Sequence, residues 1–362
     1  MHATAASVRA QILAILRAWG MPAALAEETA ALMAETDLMG VDSHGISMLM
    51  GYEELLRKGQ LRITGQPRLA RDFGATGLVD GNDGLGHPAA ALAMRMATQK
   101  ARLHGVGAVG VVNSHHFGAA GVYARMAAAA GMVGLVFSSA RGVILVPPRG
   151  AAPVLGTNPI AFAAPIEGEP PMVLDMATTT VAANKVKVYH LKEKDIPEGW
   201  VVDGAGNPVT EHAAAMDLVF KRPEGGITPL GGTEESGGHK GYGLALMVQV
   251  LAATLTGGSF SPVRNRSAAA DAPNNIGHMM LALDPRAFRD LAGYQHDMAE
   301  LVAELRGTPP STPGEPVLIP GDPEEAEMAQ RRAAGIPLPP SLVGHVRAIA
   351  ERAGVAFLLE PA

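Results

Sequence analysis

The sequence predicts a mixed α/β protein with a sheet-containing middle, residues 68–307, covered by a helical layer from both chain ends, 1–67 and 308–362. Three observations point there. Apolar residues recur at helical spacing through the first 58 positions. From about residue 68 the texture changes to short β-type segments punctuated by Gly and Pro. Helical periods then return after Pro285 and continue beyond a Pro-rich linker, TPPSTPGEP (308–316).

Val8, Ile12, Ile15, Leu16 and Trp19 line one face of a first helix that Gly20 ends. Pro22 opens a second, Ala-rich helix that Gly40 closes, and a third is expected from Asp42-Ser43 to Gly59. Residues 106–138 read as strand, helix, strand: VGAVGVV, then a helix over about 118–130, then MVGLVFS. Residues 143–165 are too Pro-rich for helix and suit edge strands and turns. MVLDM (172–176) and GHMMLALD (277–284) read as strands. The apolar run 241–255 reads as a buried helix, followed by an amphipathic helix to about Arg306 and two more at 323–334 and 341–353.

Composition excludes several classes of function. The chain has 362 residues with no cysteine, so disulfides, thiolate catalysis and Cys-ligated zinc are absent. A formal net charge of −6 and no basic stripe argue against nucleic-acid binding. The densest basic patch, KVKVYHLKEK (185–194), reads as a solvated face. No apolar run approaches the roughly 20 residues that span a bilayer, and the absence of a signal-like start makes a cytoplasmic protein the expectation. No HExxH motif suggests a metal site.

Three segments could carry chemistry. Asp42-Ser43-His44-Gly45 falls where a helix is expected to start. Ser or Asp would cap it there, and its free N–H groups would favour an anion beside His44. Asn113-Ser114-His115-His116-Phe117-Gly118-Ala119-Ala120-Gly121 lies at a strand-to-helix turn whose glycines allow close approach of a ligand, although the pattern is not GxGxxG and a Rossmann fold is unsupported. Gly237-Gly238-His239-Lys240 opens the apolar helix and suits phosphate or ribose contact, without matching a Walker A loop. No GxSxG elbow is present.

Taken together, GVDSHG (40–45), NSHHFGAAGVY (113–123), LGTNPIAFAAP (155–165), LDMATT (174–179), IPEGWVVDGAGNP (196–208), PLGG (229–232), GGHKGYGLALM (237–247) and PGDPEEAEMAQRRAAGIPL (320–338) resemble the malate/L-lactate dehydrogenase-like oxidoreductases nearly end to end. The resemblance implies a non-Rossmann α/β fold with NAD or NADP in the central domain, a homodimer, and a small 2-hydroxy or 2-oxo acid as substrate. It implies His44 as proton donor with Ser43 as its hydrogen-bond partner, and His116 as a base or cofactor-side contact. Cofactor contacts are implied for His115, His116, Phe117, Gly118, Ala119, Ser138, Asp175, Met176, Ala177, His239, Lys240, Pro320, Gly321 and Asp322, and a substrate contact for Thr157.

One position departs from that pattern. Where the family often carries a carboxylate-clamping arginine, this chain has Met48, which leaves Arg141 and Arg149 as candidate clamps. The competing functions are a cyclic imine reductase of the same family, a Ser43–His44 hydrolase, and a dinucleotide-binding protein without catalysis.

Overall fold

The computed structural model describes residues 1–269 and 271–362. A short strand, β1 (His2–Ala3), leads into α1 (Ala5–Ala18), capped where Thr4 Oγ1 accepts from the Ser7 N–H. Then comes α2 (Ala23–Leu38), behind Pro22. The third helix differs from expectation: α3 spans Leu49–Arg57 and is preceded by a 3-10 turn, Ile46–Met48. Neither Asp42 nor Ser43 caps it. The Asp37 carboxylate, from α2, takes the Ile46 N–H instead, and Ser43 turns its hydroxyl to the His44 ring.

A hairpin of β2 (Arg68–Phe73) and β3 (Thr76–Asp80) is followed by α4 (Gly86–His104), which the sequence reading missed. Its Gly-His-Pro start reads as a turn, yet Pro88 falls in the first turn, where its missing N–H has no intrahelical partner to lose. Its many alanines bury one face against the sheet. Next come β4 (Val106–Ser114), α5 (Gly121–Ala129), β5 (Val133–Ser138), β6 (Ile160–Ala164) and β7 (Met172–Met176). The basic patch is α6 (Ala183–Leu191), which packs with β8 (Val201–Val202), β9 (Pro208–Val209), α7 (His212–Phe220) and β10 (Gly226–Ile227) around an apolar cluster of its own.

The apolar helix is α8 (Gly238–Gln249), continued by a π-type turn, Val250–Thr254. It is not fully buried, since Leu246, Met247, Val250 and Leu255 are exposed. The chain ends through α9 (Ser261–Ser267), β11 (Ile276–Leu283), α10 (Leu291–Gly307), α11 (Asp322–Ala334), β12 (Ile336–Pro337) and α12 (Pro340–Ala353).

Seven strands form one mixed sheet in the order β2-β3-β4-β11-β5-β6-β7. Only β3 and β4 pair in parallel; every other neighbour is antiparallel. The strand from the C-terminal half, β11, is inserted between β4 and β5, so these two consecutive strands do not touch. β6 is internal, contrary to the edge position expected for 143–165. One apolar core joins α4 and α5 to the sheet, and it includes Met328 from α11. Another unites α1–α3 with α12. Short β1 pairs with β12, tying the two chain ends together.

The central insertion is tight. A Cβ on Gly277 of β11 would stand 1.8 Å from the Ala252 carbonyl oxygen. Gly277→Ala should therefore destabilise the fold by about 3 kcal/mol, read as a lower urea midpoint with unchanged slope.

Candidate active site

His44 projects from the turn between α2 and the 3-10 segment. Ser43 Oγ lies 2.7 Å from its Nδ1. A hydroxyl can donate or accept there, so Ser43 can hold either tautomer and leave Nε2 for a ligand. Below the turn, the buried Asp37 carboxylate accepts from the Ile46 N–H at 2.8 Å. Burial pushes the Asp37 carboxyl up to about 8, with the Ile46 bond and Arg331 opposing. Arg331, reaching from α11, donates to the Asp37 carbonyl at 2.7 Å and pairs with the Asp42 carboxylate.

His116 lies against this turn, its ring stacked on His44 at 5.3 Å between centroids. The Tyr52 hydroxyl is 2.8 Å from His116 Nδ1, and the Gly118 N–H donates to the same atom at 3.3 Å. An amide N–H can only donate, so Nδ1 is an acceptor and the ring proton belongs on Nε2. Burial holds His116 well below the usual histidine range, with His44 and His87 adding to the effect, and burial also lowers His44. Both rings are thus neutral at rest.

Two cavities meet here. The first, about 310 Å³, is lined by His44, Met48, Tyr52, His116, Arg141 and Thr157, among others. The second, about 350 Å³, runs past Ala119–Gly121 to Asp175–Ala177 and the start of α6. His44, Gly118, Thr157 and Pro159 border both. Asp175 faces the second cavity and accepts from the Gly121 N–H at 2.6 Å; burial raises its carboxyl to about 6.

The other residues singled out in the sequence divide. Phe117 and Ser138 line the first cavity, Ala119, Met176 and Ala177 the second, and Ser43 also reaches the second. His115 lines neither: it is fully buried and takes a hydrogen bond from Asn274. His239 and Lys240 stand exposed on the first turn of α8, lining neither cavity. Pro320 gives its carbonyl to the Val173 N–H, Gly321 makes a left-handed turn at φ +103°, and Asp322 is engaged by Arg306 and the Ile319 N–H. From that segment it is Glu324 that reaches the second cavity. Arg149 lines neither cavity and forms a bidentate pair with Glu234, whereas Arg141 lines the first.

Sequence reading missed Tyr52, Leu55, Asn274 and Glu324. For the first two a signal existed: Met48, Tyr52 and Leu55 recur at helical spacing from the pocket-facing Met48. Asn274 and Glu324 reach the site only through tertiary folding.

The architecture and paired cavities define an α/β enzyme with a half-buried histidine pair between a pocket and a longer cleft. The malate/L-lactate dehydrogenase family model matches residues 3–347. A malate dehydrogenase of Pyrococcus abyssi is 36% identical over 353 residues, covering 96% of this chain and 93% of the relative. A (2R)-3-sulfolactate dehydrogenase (NADP(+)) of Chromohalobacter salexigens is 36% identical over 341 residues, covering 93% and 95%. The crystal structure of malate dehydrogenase from Entamoeba histolytica superposes with a TM-score of 0.92 at 27% identity, over 98% of this chain and 99% of that one. The chain belongs to the malate/L-lactate dehydrogenase family, and it is a 2-hydroxy acid dehydrogenase of that type.

The raised Asp37 carboxyl has a measurable consequence. Its folded value, about 8, lies above the unfolded value near 4, so between them the native state binds the extra proton and stability falls as pH rises. Asp37→Asn should match wild type near pH 4 and be the more stable protein at pH 8, in urea unfolding at both pH values. A constant difference between the two proteins would remove the titration from Asp37.

Proposed function

We propose that the enzyme interconverts a 2-hydroxy monocarboxylate and its 2-oxo acid with NAD or NADP. The observation that carries this reading is the meeting of two cavities at His44 and Thr157. The second cavity suits a dinucleotide. Its Ala119–Gly121 wall offers backbone approach at the start of α5, and Asp175 and Glu324 offer acceptors for ribose hydroxyls. When bound, the nicotinamide supplies or removes the hydride at the substrate's C2.

His44 handles the proton. In the oxidation direction its neutral Nε2 accepts the hydroxyl proton, and in reduction the imidazolium returns it to the carbonyl oxygen. Ser43 steadies Nδ1 through both states. His116, neutral and with Nδ1 already engaged, packs His44 in place and lines the first cavity beside it. Arg141 takes the substrate carboxylate, because Met48 offers no charge-assisted bond and Arg149 is engaged elsewhere. Thr157 borders both cavities and offers a hydroxyl at their junction. Met48, Leu55, Phe117 and Ile276 give the rest of the pocket an apolar character that favours an uncharged tail over a second carboxylate.

In this reading 68–307 forms most of the cofactor cleft, and 1–67 with 308–362 brings His44 and Glu324 to it. The exposed stripe of Leu246, Met247, Val250 and Leu255 supports a homodimer through α8. Light scattering should give about twice the chain mass of 37.4 kDa; a fully active monomer would refute this.

Activity is tested by NADH and NADPH oxidation against oxaloacetate, 2-oxo acids with apolar tails, and a cyclic imine. We expect apolar 2-oxo acids to be preferred, His44→Ala to lower kcat by roughly 10²–10⁴, and Met48→Arg to shift preference toward oxaloacetate. Preference of wild type for oxaloacetate with no shift in Met48→Arg would sink the specificity argument. Preference for the imine, or ester hydrolysis without nicotinamide, would replace the reaction itself.

A further inference from the structure

His87 is the second residue of α4 and is 1% exposed, yet neither of its ring nitrogens has a hydrogen-bond partner among the described protein groups. Burial pushes its pKa down to about 3, so the ring is neutral, with one N–H and one lone pair to satisfy. It lies behind the site. Tyr52, whose hydroxyl bonds His116, meets the His87 ring edge to face at 5.9 Å. A Cβ on Gly118 would fall 2.8 Å from His87 Nε2 and 3.6 Å from the His44 carbonyl oxygen. The His87 ring, the Gly118 backbone and the His44 carbonyl therefore converge beneath the crossing of the two segments that carry His44 and His116. The Gly86 N–H, one residue before, donates to the His116 carbonyl at 3.0 Å.

Buried polar groups that lack a protein partner are met by enclosed water when two or more polar atoms face a common space. We propose that His87 is a positioning residue, holding an internal water beneath this crossing that ties α4 to the backbone of His44 and so fixes the stacked His44–His116 pair. The water uses the His87 nitrogen facing Gly118 and the His44 carbonyl. His87 touches neither substrate nor cofactor, since it lines neither cavity.

The role predicts a pattern that general destabilisation would not give. Loosening the His44 turn misplaces the proton-transfer atom after the ligands have bound, so kcat falls while both KM values hold. His87→Phe fills the ring's space without a polar atom; His87→Gln keeps a donor and an acceptor. With the best 2-oxo acid, His87→Phe should lower kcat about tenfold with both KM values within twofold, and His87→Gln should recover most of the loss. Unchanged kcat in His87→Phe overturns the proposal, and so does an equal loss in both variants that follows their melting temperatures. A crystal structure of the wild-type protein decides independently of any activity, and of whether His87→Phe folds. Density for a water within roughly 3.2 Å of a His87 nitrogen, the hydrogen-bond limit, is expected; a dry contact or a direct protein partner refutes it.

Discussion

The turn that carries His44 is held by a single buried carboxyl group, and the rest of the site depends on that hold. Asp37 receives the Ile46 N–H, and Gly45 packs so closely that a Cβ there would stand 1.9 Å from Asp37 Oδ1. Only glycine fits. Arg331 completes the arrangement from α11, bonding the Asp37 carbonyl across 294 residues of sequence and the Asp42 side chain across 289. The turn is thus suspended between the first helices and α11, and the position of Nε2 depends on segments from both halves of the chain being folded.

Around that turn the protein gathers imidazoles while keeping them uncharged. His87, His116 and His278 are all held below the usual histidine range, with burial as the leading cause. His278 is bracketed by Ser138 and Ser114, and it stacks on Phe117 at 4.4 Å. A cluster of neutral rings supplies directed donors and acceptors without the self-repulsion that several imidazolium ions would bring. His44 differs in bordering both cavities, which in the proposed function suits it to change protonation state.

The charge balance of the first cavity gives this family member its character. Arg141 forms none of the ion pairs found among the described residues, while Glu54 across the pocket is already paired with Lys58. In the proposed function, Arg141 and a wall of Met48, Leu55, Phe117 and Ile276 suit one carboxylate and an apolar remainder. Arg149 offers no cation beside Met48, because its guanidinium forms a bidentate pair with Glu234 on the outside of the molecule.

How far the sequence alone reached follows from which interactions are local. Helical periods in 5–38 and 291–353 and alternation in 106–138 are set by neighbouring residues, so those elements were legible, as were the ordered motifs that resemble the family. The same local logic misled where a distant partner decides. Asp42-Ser43 reads as a helix cap, yet Asp37 and Arg331 claim the groups involved, and the helix begins later. The Gly-His-Pro start hid α4, whose alanines become a helix face only against the sheet. Likewise His115 and His116 are indistinguishable in sequence, but one turns to Asn274 and the other to Tyr52 and His44. Which side of a turn a side chain takes is fixed by groups tens to hundreds of residues away. The sequence determined the residue types available for proton transfer and most of the helices and strands; tertiary packing alone decided which histidine meets which cavity, because burial and long-range hydrogen bonds have no signature in local spacing.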